Sequence, residues 1–230
     1  MPFFAKLLGA LAVVGLLSAS QTVLAYTPPG DDYLCDEPME LKFYQYIRWQ
    51  PYELPLKVYV PPIPYKMQQP GMYMQVLHQA FGSWTQVIPQ FNFQFVDSPA
   101  KAQIQIKWVE HFPESEAMWG ETMLPTPYFD AQNKLRHRSE IRLALRAQKG
   151  TGLGTDSPFF SAEELSAIAT HEIGHALGLL HSDNPDDIMT SYLFRLTSQS
   201  KWAITPRDAA TLRRLYTLPA RVEIPPCNGS

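Results

Sequence analysis

Residues 171 to 182, HEIGHALGLLHS, carry three of the six histidines of this chain. On a helix, residues four apart lie on one face, so His171 and His175 present two imidazoles to the same point. Gly178 is expected to end this helix, because glycine tolerates the left-handed backbone found at helix ends. The chain can then turn back and bring in His181, and three imidazoles with an open fourth position are a ligand set of catalytic zinc.

The glutamate after the first histidine gives this segment a chemical role. Glu172 can lean over the open metal position and accept a proton from a water that attacks a carbonyl carbon. The alternative is a helix whose histidines are surface residues or satisfied core residues, since a bare H-E-x-x-H arises by chance. The longer pattern H-E-x-x-H-x-x-G-x-x-H fixes five positions in eleven residues ahead of a nearby methionine, which favours metal binding.

Capping signals predict where two helices begin. Ser161 and Glu164 have the spacing of a capping box, so the histidine-bearing helix is predicted to open at Ser161. A last helix is predicted near Thr205, with Pro206 at its first position and Asp208 in its first turn.

The rest of the chain shows a mixture of helical and strand periodicities. Alternating apolar residues predict four strands, at residues 56–60, 91–96, 103–109 and 140–145. Apolar positions three and four apart predict an amphipathic helix over 72–88. Residues 110–138 are predicted to be irregular with short extended pieces, and the glycine-rich stretch 150–154 lacks a nucleotide-binding spacing and is interpreted as a connector. This order of elements predicts an α+β domain with a mixed sheet.

The first 25 residues have the pattern of a cleaved signal peptide. Lys6 supplies positive charge, residues 7–17 are apolar, and Val23-Leu24-Ala25 suits cleavage after Ala25. An uncleaved membrane anchor is the alternative, but the apolar run is short for a bilayer. The remaining length fits one domain. The chain is therefore expected to be secreted or periplasmic, without membrane attachment after cleavage.

Composition restricts the partners of the chain. The formal net charge is −3 with 45% hydrophobic residues, which is an ordinary globular composition and gives no electrostatic reason to expect nucleic acid. A monomer is expected. Cys35 and Cys227 lie near the two ends of the exported chain, where a disulfide between them and a free Cys35 thiol that acts on a metal are both open interpretations.

The stretch HEIGHALGLLHSDNPDDIM, residues 171–189, resembles the metzincin metallopeptidases and specifically their matrixin branch. The matching features are Ser182 directly after the third histidine, Pro185 in the loop, and Ile188-Met189 eight residues beyond that histidine. The resemblance implies that Met189 forms the Met-turn, whose thioether lies beneath the imidazoles without binding metal. Simple core packing is an alternative that is compatible with this role.

The resemblance covers residues 45–218, more closely from Ser161 onward. The segment TPRDAATLRRLY resembles the closing helix of the family and has Asp208 at the position of its aspartate. The implied fold is a zincin-like catalytic domain, with a twisted mixed sheet, an active-site helix, a Met-turn and a C-terminal helix. The edge strand of that sheet would bind an extended peptide. The implied organisation is a signal peptide (1–25), an N-terminal arm (26–44), the catalytic domain (45–218) and a C-terminal tail (219–230).

The chain departs from the family at its cysteine. No cysteine-switch segment is present, because Cys35 lies in LCDEP. We therefore expect export without thiolate latency, and a pairing of Cys35 with Cys227. The structural metal ligands of animal matrixins have no clear match, so His111 and His137 are expected at the surface.

Two further departures lie close to the predicted site. Three aspartates near the third histidine are interpreted as a solvated polar loop, with calcium an unsupported alternative: Asp183, Asp186 and Asp187. Ser191 and Leu193 stand where matrixins usually have a proline and a tyrosine, and Tyr192 is displaced by one position. The wall of the pocket beyond the cleaved bond is therefore left open, and Tyr192 is not assigned as a ligand.

The sequence thus predicts a secreted zinc endopeptidase that acts on polypeptides. One catalytic zinc would be held by His171, His175 and His181, with Glu172 as the general base. The first alternative is a zinc-binding pseudo-peptidase or binding protein with a blocked cleft. The second is an exported structural domain whose histidines bind no metal.

Overall fold

A computed structural model of the chain describes residues 24–25, 32–34, 47–63, 70–112, 118–146, 159–191, 202–218 and 222–223. Both cysteines, the stretch 150–154, Tyr192 and Leu193 lie outside these residues, as does most of the predicted signal peptide. No helix within the described ranges is long and apolar enough to cross a bilayer.

Seven strands in the described residues form two sheets: β1 (Leu24–Ala25), β2 (Leu56–Tyr59), β3 (Phe93–Val96), β4 (Ile104–Val109), β5 (Gly120–Phe129), β6 (Leu135–Ala144) and β7 (Val222–Glu223). The main sheet has the order β3-β2-β4-β6-β5. Its pairings are parallel except for β5, which runs antiparallel to β6 at one edge. β1 and β7 pair in parallel as a separate two-stranded sheet, at the predicted cleavage point. The predicted α+β class with a mixed sheet is confirmed.

The described residues also form three α-helices, α1 (Pro70–Val87), α2 (Ala162–Ala176) and α3 (Pro206–Thr217), and two short 3-10 helices. The core lies between the main sheet and the first two helices. Phe81 of α1 packs on Phe93 of β3 with ring centroids 4.8 Å apart, and Trp84 donates its indole N–H to the carbonyl of Thr170 on α2 at 2.9 Å. The inward residues of three central strands are almost fully buried: Leu56, Val58, Ile104, Ile106, Ile141 and Leu143. This buried layer supports the helix that carries the histidines.

The predicted ends of α2 are confirmed. The Ser161 hydroxyl accepts the amide of Glu164, whose carboxylate accepts the amide of Ser161, as a capping box requires. Gly178 follows the last turn with φ of 97°, a conformation that favours glycine. A Cβ there would also lie 2.5 Å from the carbonyl oxygen of Ile47. The chain can therefore reverse close to the helix end, which brings His181 back toward α2.

The prediction that residues 110–138 are irregular was wrong, because β5 occupies ten of them. Pro125 and Pro127 made this segment unlike a strand, and proline in a sheet is confined to edges and bulges. The ladder is irregular between Met123 and Thr126, around Pro125. The amide of Asp130 donates to the carbonyl of Lys134, so these two residues form a hydrogen-bonded pair. Such pairs alternate with non-hydrogen-bonded pairs along an antiparallel ladder, and Pro127 falls in a non-hydrogen-bonded pair, with its nitrogen directed away from β6. Pro127 therefore costs no ladder hydrogen bond.

The expected surface position of His137 was also wrong. His137 is 1% exposed and lies on the inward face of β6. Its backbone amide donates to Glu53 Oε1 at 2.7 Å, and its Nδ1 lies 2.8 Å from Glu53 Oε2. The partner is distant in sequence, so spacing could not reveal it. His111 is half-buried.

Candidate active site

The three histidines of the sequence pattern converge in space. Nε2 of His175 lies 3.1 Å from Nε2 of His171 and 3.2 Å from Nε2 of His181. Their ligand atoms all lie within 4.8 Å of one another, and no other group of three or more His, Cys, Asp or Glu residues in the described ranges is so arranged. The structure thus brings together all three predicted ligands.

Two of these rings are fixed in one tautomer by backbone carbonyls. Nδ1 of His171 lies 2.7 Å from the oxygen of Ile188, and Nδ1 of His175 lies 2.7 Å from the oxygen of Leu179. Because a carbonyl oxygen only accepts, each Nδ1 carries the proton and each neutral ring presents an Nε2 lone pair. Burial lowers the pKa of His171 to about 4 and that of His175 well below its ordinary value, which keeps both rings neutral near pH 7.

The converging lone pairs fit a divalent cation better than they fit one another. Two unprotonated Nε2 atoms cannot share a hydrogen bond, so the short distance between His171 and His175 is unfavourable without a positive charge between them. Tetrahedral zinc with Zn–N bonds of about 2.0–2.1 Å places its ligand nitrogens about 3.3 Å apart. The observed separations of 3.1 and 3.2 Å are close to this value. The donor set could therefore hold zinc through three nitrogens.

Glu172 follows His171 on α2, and its side chain contacts the edge strand of the sheet. It is 5% exposed, and its Oε2 accepts a hydrogen bond from Thr122 Oγ1 at 2.7 Å. Burial raises the pKa of Glu172 to about 8, while the Thr122 hydrogen bond acts in the opposite direction. A cation at the neighbouring imidazoles would favour the ionised carboxylate, which is the form that accepts protons.

The edge strand β5 presents free backbone positions beside Glu172. The carbonyl of Trp119 accepts the amide of Ala144, so this pair is hydrogen-bonded across the two strands. Bonded and unbonded pairs alternate in an antiparallel ladder, which directs the amides and carbonyls of Gly120 and Thr122 away from β6. An extended polypeptide could pair with these groups.

A tight turn around Met189 closes the other side of the histidine helix. Met189 is fully buried, and its carbonyl accepts the amide of Ser182 at 2.8 Å. Gly174 allows the close approach, because a Cβ there would lie 2.3 Å from the Met189 sulfur. The thioether therefore packs against the helix between His171 and His175 in sequence.

The interpretation of the nearby aspartates as a solvated loop was wrong for Asp187, although Asp183 and Asp186 are exposed. Asp187 is 1% exposed, and its Oδ2 accepts from the Ser182 hydroxyl and from Arg207 Nη1. Arg207 also pairs with Asp183. A guanidinium thus occupies the position beside these carboxylates, and the loop is held to α3 by an ion pair.

Asp208 connects α3 to His171 through Ile188. Its Oδ2 accepts the amide of Ile188 at 3.0 Å, and the carbonyl of the same residue accepts His171 Nδ1. Its Oδ1 accepts the hydroxyl of Tyr33 at 2.9 Å, so the predicted N-terminal arm docks on α3 through a buried residue. The capping threonine Thr205 adds further hydrogen bonds to this carboxylate. The fully buried Asp208 thus holds the residue whose carbonyl orients His171.

Sequence reasoning missed that Gly120 and Thr122 contact the Glu172 carboxylate. They lie in the segment interpreted as irregular, and neither residue type signals a site. The available signal was the turn-forming residues Asp130 and Asn133, which indicate that a strand precedes the predicted strand EIRLAL. In the structure this turn begins at Asp130, and Asn133 has a φ of 56°. A proline-bearing edge strand was the element to expect there.

Comparison with known proteins agrees with this arrangement. The family model described as Matrixin matches residues 48–217, which is most of the chain. Matrilysin of Felis catus is 33% identical over 84 residues, which cover 32% of this chain and 32% of that protein. Neutrophil collagenase of Homo sapiens is 37% identical over 87 residues, 33% of this chain and 18% of that protein. Matrix metalloproteinase-A of Caenorhabditis elegans is 23% identical over 145 residues, 62% of this chain and 25% of that protein.

The aligned part of the chain spans less than a third of the length of the curated relatives described above. Matrixins are zinc metalloendopeptidases with polypeptide substrates, and the three-histidine cluster fits the zinc that this family uses. On the match over residues 48–217 and the fold around it, this chain belongs to the matrixin family of metzincins.

Proposed function

We propose that this chain is a secreted zinc endopeptidase in which His171, His175 and His181 hold the metal and Glu172 is the general base. The observation that carries this proposal is the convergence of three Nε2 atoms, two of them from the helix that also carries the buried carboxylate of Glu172. Zinc, when bound, would activate a water molecule and polarise the carbonyl of the scissile peptide bond.

The residues of the chain perform the proton transfers. Glu172 accepts a proton from the attacking water and delivers it to the amine that leaves. Its buried position beside Thr122 keeps the carboxylate in one place between those two transfers. Met189 packs behind the histidine helix and has no ligand role.

The substrate is an extended polypeptide that adds to the edge of the sheet. The outward amides and carbonyls of Gly120 and Thr122 would pair with its backbone. Main-chain pairing is independent of side chains, so preference for particular residues would come from the pockets around the strand.

Export follows the pattern of the first 25 residues. We propose cleavage after Ala25, a catalytic domain over 45–218 flanked by an arm and a tail, and a monomeric periplasmic or extracellular product. A disulfide between Cys35 and Cys227 would form in that compartment. Mass spectrometry of the exported protein tests the cleavage and the disulfide. We expect an N-terminus at Tyr26 and no free thiol. An intact leader would contradict the cleavage, and a free Cys35 thiol would contradict the disulfide.

The decisive test is Glu172→Ala with Glu163→Ala as its control, since Glu163 is an exposed carboxylate on the same helix. Loss of the general base should lower the rate of casein hydrolysis by about 10²–10⁴-fold while zinc content stays at one per chain. Glu163→Ala should retain wild-type activity. Unchanged activity in Glu172→Ala would remove this residue from the mechanism, and a zinc-loaded wild-type chain that cleaves nothing would favour the pseudo-peptidase.

A further inference from the structure

We propose that Gly120 and Thr122 of β5 form a carboxylate seat that positions Glu172 for proton transfer. The inference rests on the proposed function, because it concerns the general base of that reaction. Neither residue is a catalytic residue: each acts through Glu172, one by a hydrogen bond and the other by leaving space. The seat is defined here as these two residues alone.

The hydroxyl of Thr122 fixes one carboxylate oxygen. Thr122 Oγ1 lies 2.7 Å from Glu172 Oε2 and 3.1 Å from the backbone oxygen of Glu172. Both neighbours are acceptors when Glu172 is ionised, so the single hydroxyl proton points to one of them, and the shorter contact is to the charged oxygen. Threonine is stiff at χ1, and the donor is therefore held at low entropic cost.

Gly120 leaves room for the second carboxylate oxygen, because it has no side chain. A Cβ at this position would lie 2.3 Å from Glu172 Oε1 and 2.5 Å from Glu172 Cγ. The carboxylate thus lies directly over the α-carbon of Gly120, and any other residue would push it away. Both seat residues face α2 because they are two apart on one strand.

The backbone of the same two residues faces the open edge where a peptide would pair. The strand that aligns the substrate is therefore also the strand that aligns the base, with no intervening element. Displacement of a reacting group by about 1 Å can cost about 10²-fold in rate. Loss of the seat should consequently lower kcat and leave KM nearly unchanged, because the outward backbone groups remain.

The first test compares Thr122→Val, which keeps the shape of the side chain, with Thr122→Ser, which keeps the hydroxyl. We expect kcat to fall about tenfold or more in the valine variant, with KM within about twofold, while serine restores most of kcat. Zinc content and the melting temperature should match wild type in both. A valine variant with wild-type kcat would overturn the proposal, as would equal losses in the two variants.

The second test compares Gly120→Ala with Gly82→Ala. Gly82 lies on α1, where an added Cβ meets nothing within 4 Å. We expect Gly120→Ala to lower kcat by about 10–100-fold and Gly82→Ala to leave it unchanged. Wild-type kcat in Gly120→Ala would show that the carboxylate does not need the seat.

Two further readouts separate this inference from the proposed function. In a Glu172→Ala background, Thr122→Val should cause no additional loss, because the group that it positions is gone; a further loss would mean that Thr122 acts elsewhere. A wild-type chain without peptidase activity would overturn the peptidase alone. Crystal structures of the variants would then test the seat. The Glu172 carboxylate should move in Gly120→Ala and keep its position in Gly82→Ala. An unmoved carboxylate in Gly120→Ala would overturn the proposal.

Discussion

The two walls of the candidate site are built in different ways. The histidine wall comprises His171, His175, His181 and the turn around Met189, and its burial falls from the buried His171 to the exposed His181. Backbone carbonyls orient two of the rings, and a network from α3 reaches the turn around Met189. The strand wall is an edge strand with two prolines, an irregular register and exposed side chains such as Phe129, which is 66% exposed. The histidine wall is therefore held by contacts within the chain, whereas the strand wall directs backbone groups of Gly120 and Thr122 toward an open edge.

This contrast predicts where mutations act. Changes in the histidine wall should alter metal affinity and stability, because the residues that support the rings, such as Met189 and Asp208, are fully buried. Changes in the strand wall should alter turnover with little effect on folding, because much of that strand is open to solvent.

The largest effect is expected when a ligand of the histidine wall is removed. His175→Ala leaves two imidazoles for the metal, so zinc affinity should fall by at least about 10²-fold and peptidase activity should be lost. His78→Ala is the matched control, since His78 is exposed on α1 and stacks on Phe95. Zinc titration with a competing chelator measures both variants, and unchanged affinity in His175→Ala would break the assignment of this wall.

The next effect concerns the support behind the ligands. Asp208 accepts a hydrogen bond from Tyr33 on one carboxylate oxygen and from Ile188 on the other. Asp208→Asn replaces one of these oxygens with an amide nitrogen, which cannot accept, so one of the two hydrogen bonds is lost. We expect a loss of about 2–4 kcal/mol in the free energy of unfolding, and weaker zinc binding through the Ile188 peptide. Asp186→Asn, at an exposed position of the loop that contains Ile188, should change neither. Urea unfolding checks this, and a loss below about 0.5 kcal/mol in Asp208→Asn would contradict it.

A smaller effect is expected from packing under the histidine helix. Gly174→Ala places a Cβ 2.3 Å from the Met189 sulfur, so the turn must shift, at a cost of about 1–3 kcal/mol. Gly82→Ala has open space and should instead stabilise α1 by up to about 1 kcal/mol. Comparing the thermal unfolding of Gly174→Ala and Gly82→Ala distinguishes the cost of the clash with Met189 from the general effect of alanine on helix stability. If both variants gain stability, Met189 does not press on α2.

The smallest effect is expected in the strand wall. Pro127→Ala adds an amide that points away from β6, so the ladder neither gains nor loses a hydrogen bond. The free energy of unfolding should change by no more than about 1 kcal/mol, mainly through the unfolded chain. A loss of several kcal/mol in urea unfolding would show that the edge is as tightly built as the histidine wall.

The two walls also differ in how far the sequence predicts them. The histidine wall is local in sequence: a capping box at Ser161, a four-residue histidine spacing and Gly178 specify its geometry within some twenty residues. The strand wall depends on pairing between segments, and its prolines hide the alternation that usually marks a strand. Distant partners such as Glu53 for His137, or Thr122 for Glu172, leave no trace in spacing. Physical signals that act between neighbours can be read from a sequence, whereas contacts across the fold cannot.

X-ray absorption at the zinc edge of the purified, zinc-loaded chain tests the central claim most directly. We predict one zinc per chain with three imidazole nitrogens at about 2.0–2.1 Å and at least one further light ligand from solvent. His175→Ala should lose one imidazole from this spectrum or bind no zinc. A wild-type spectrum with fewer than three imidazoles, or with a closed shell that contains no solvent ligand, would contradict the account.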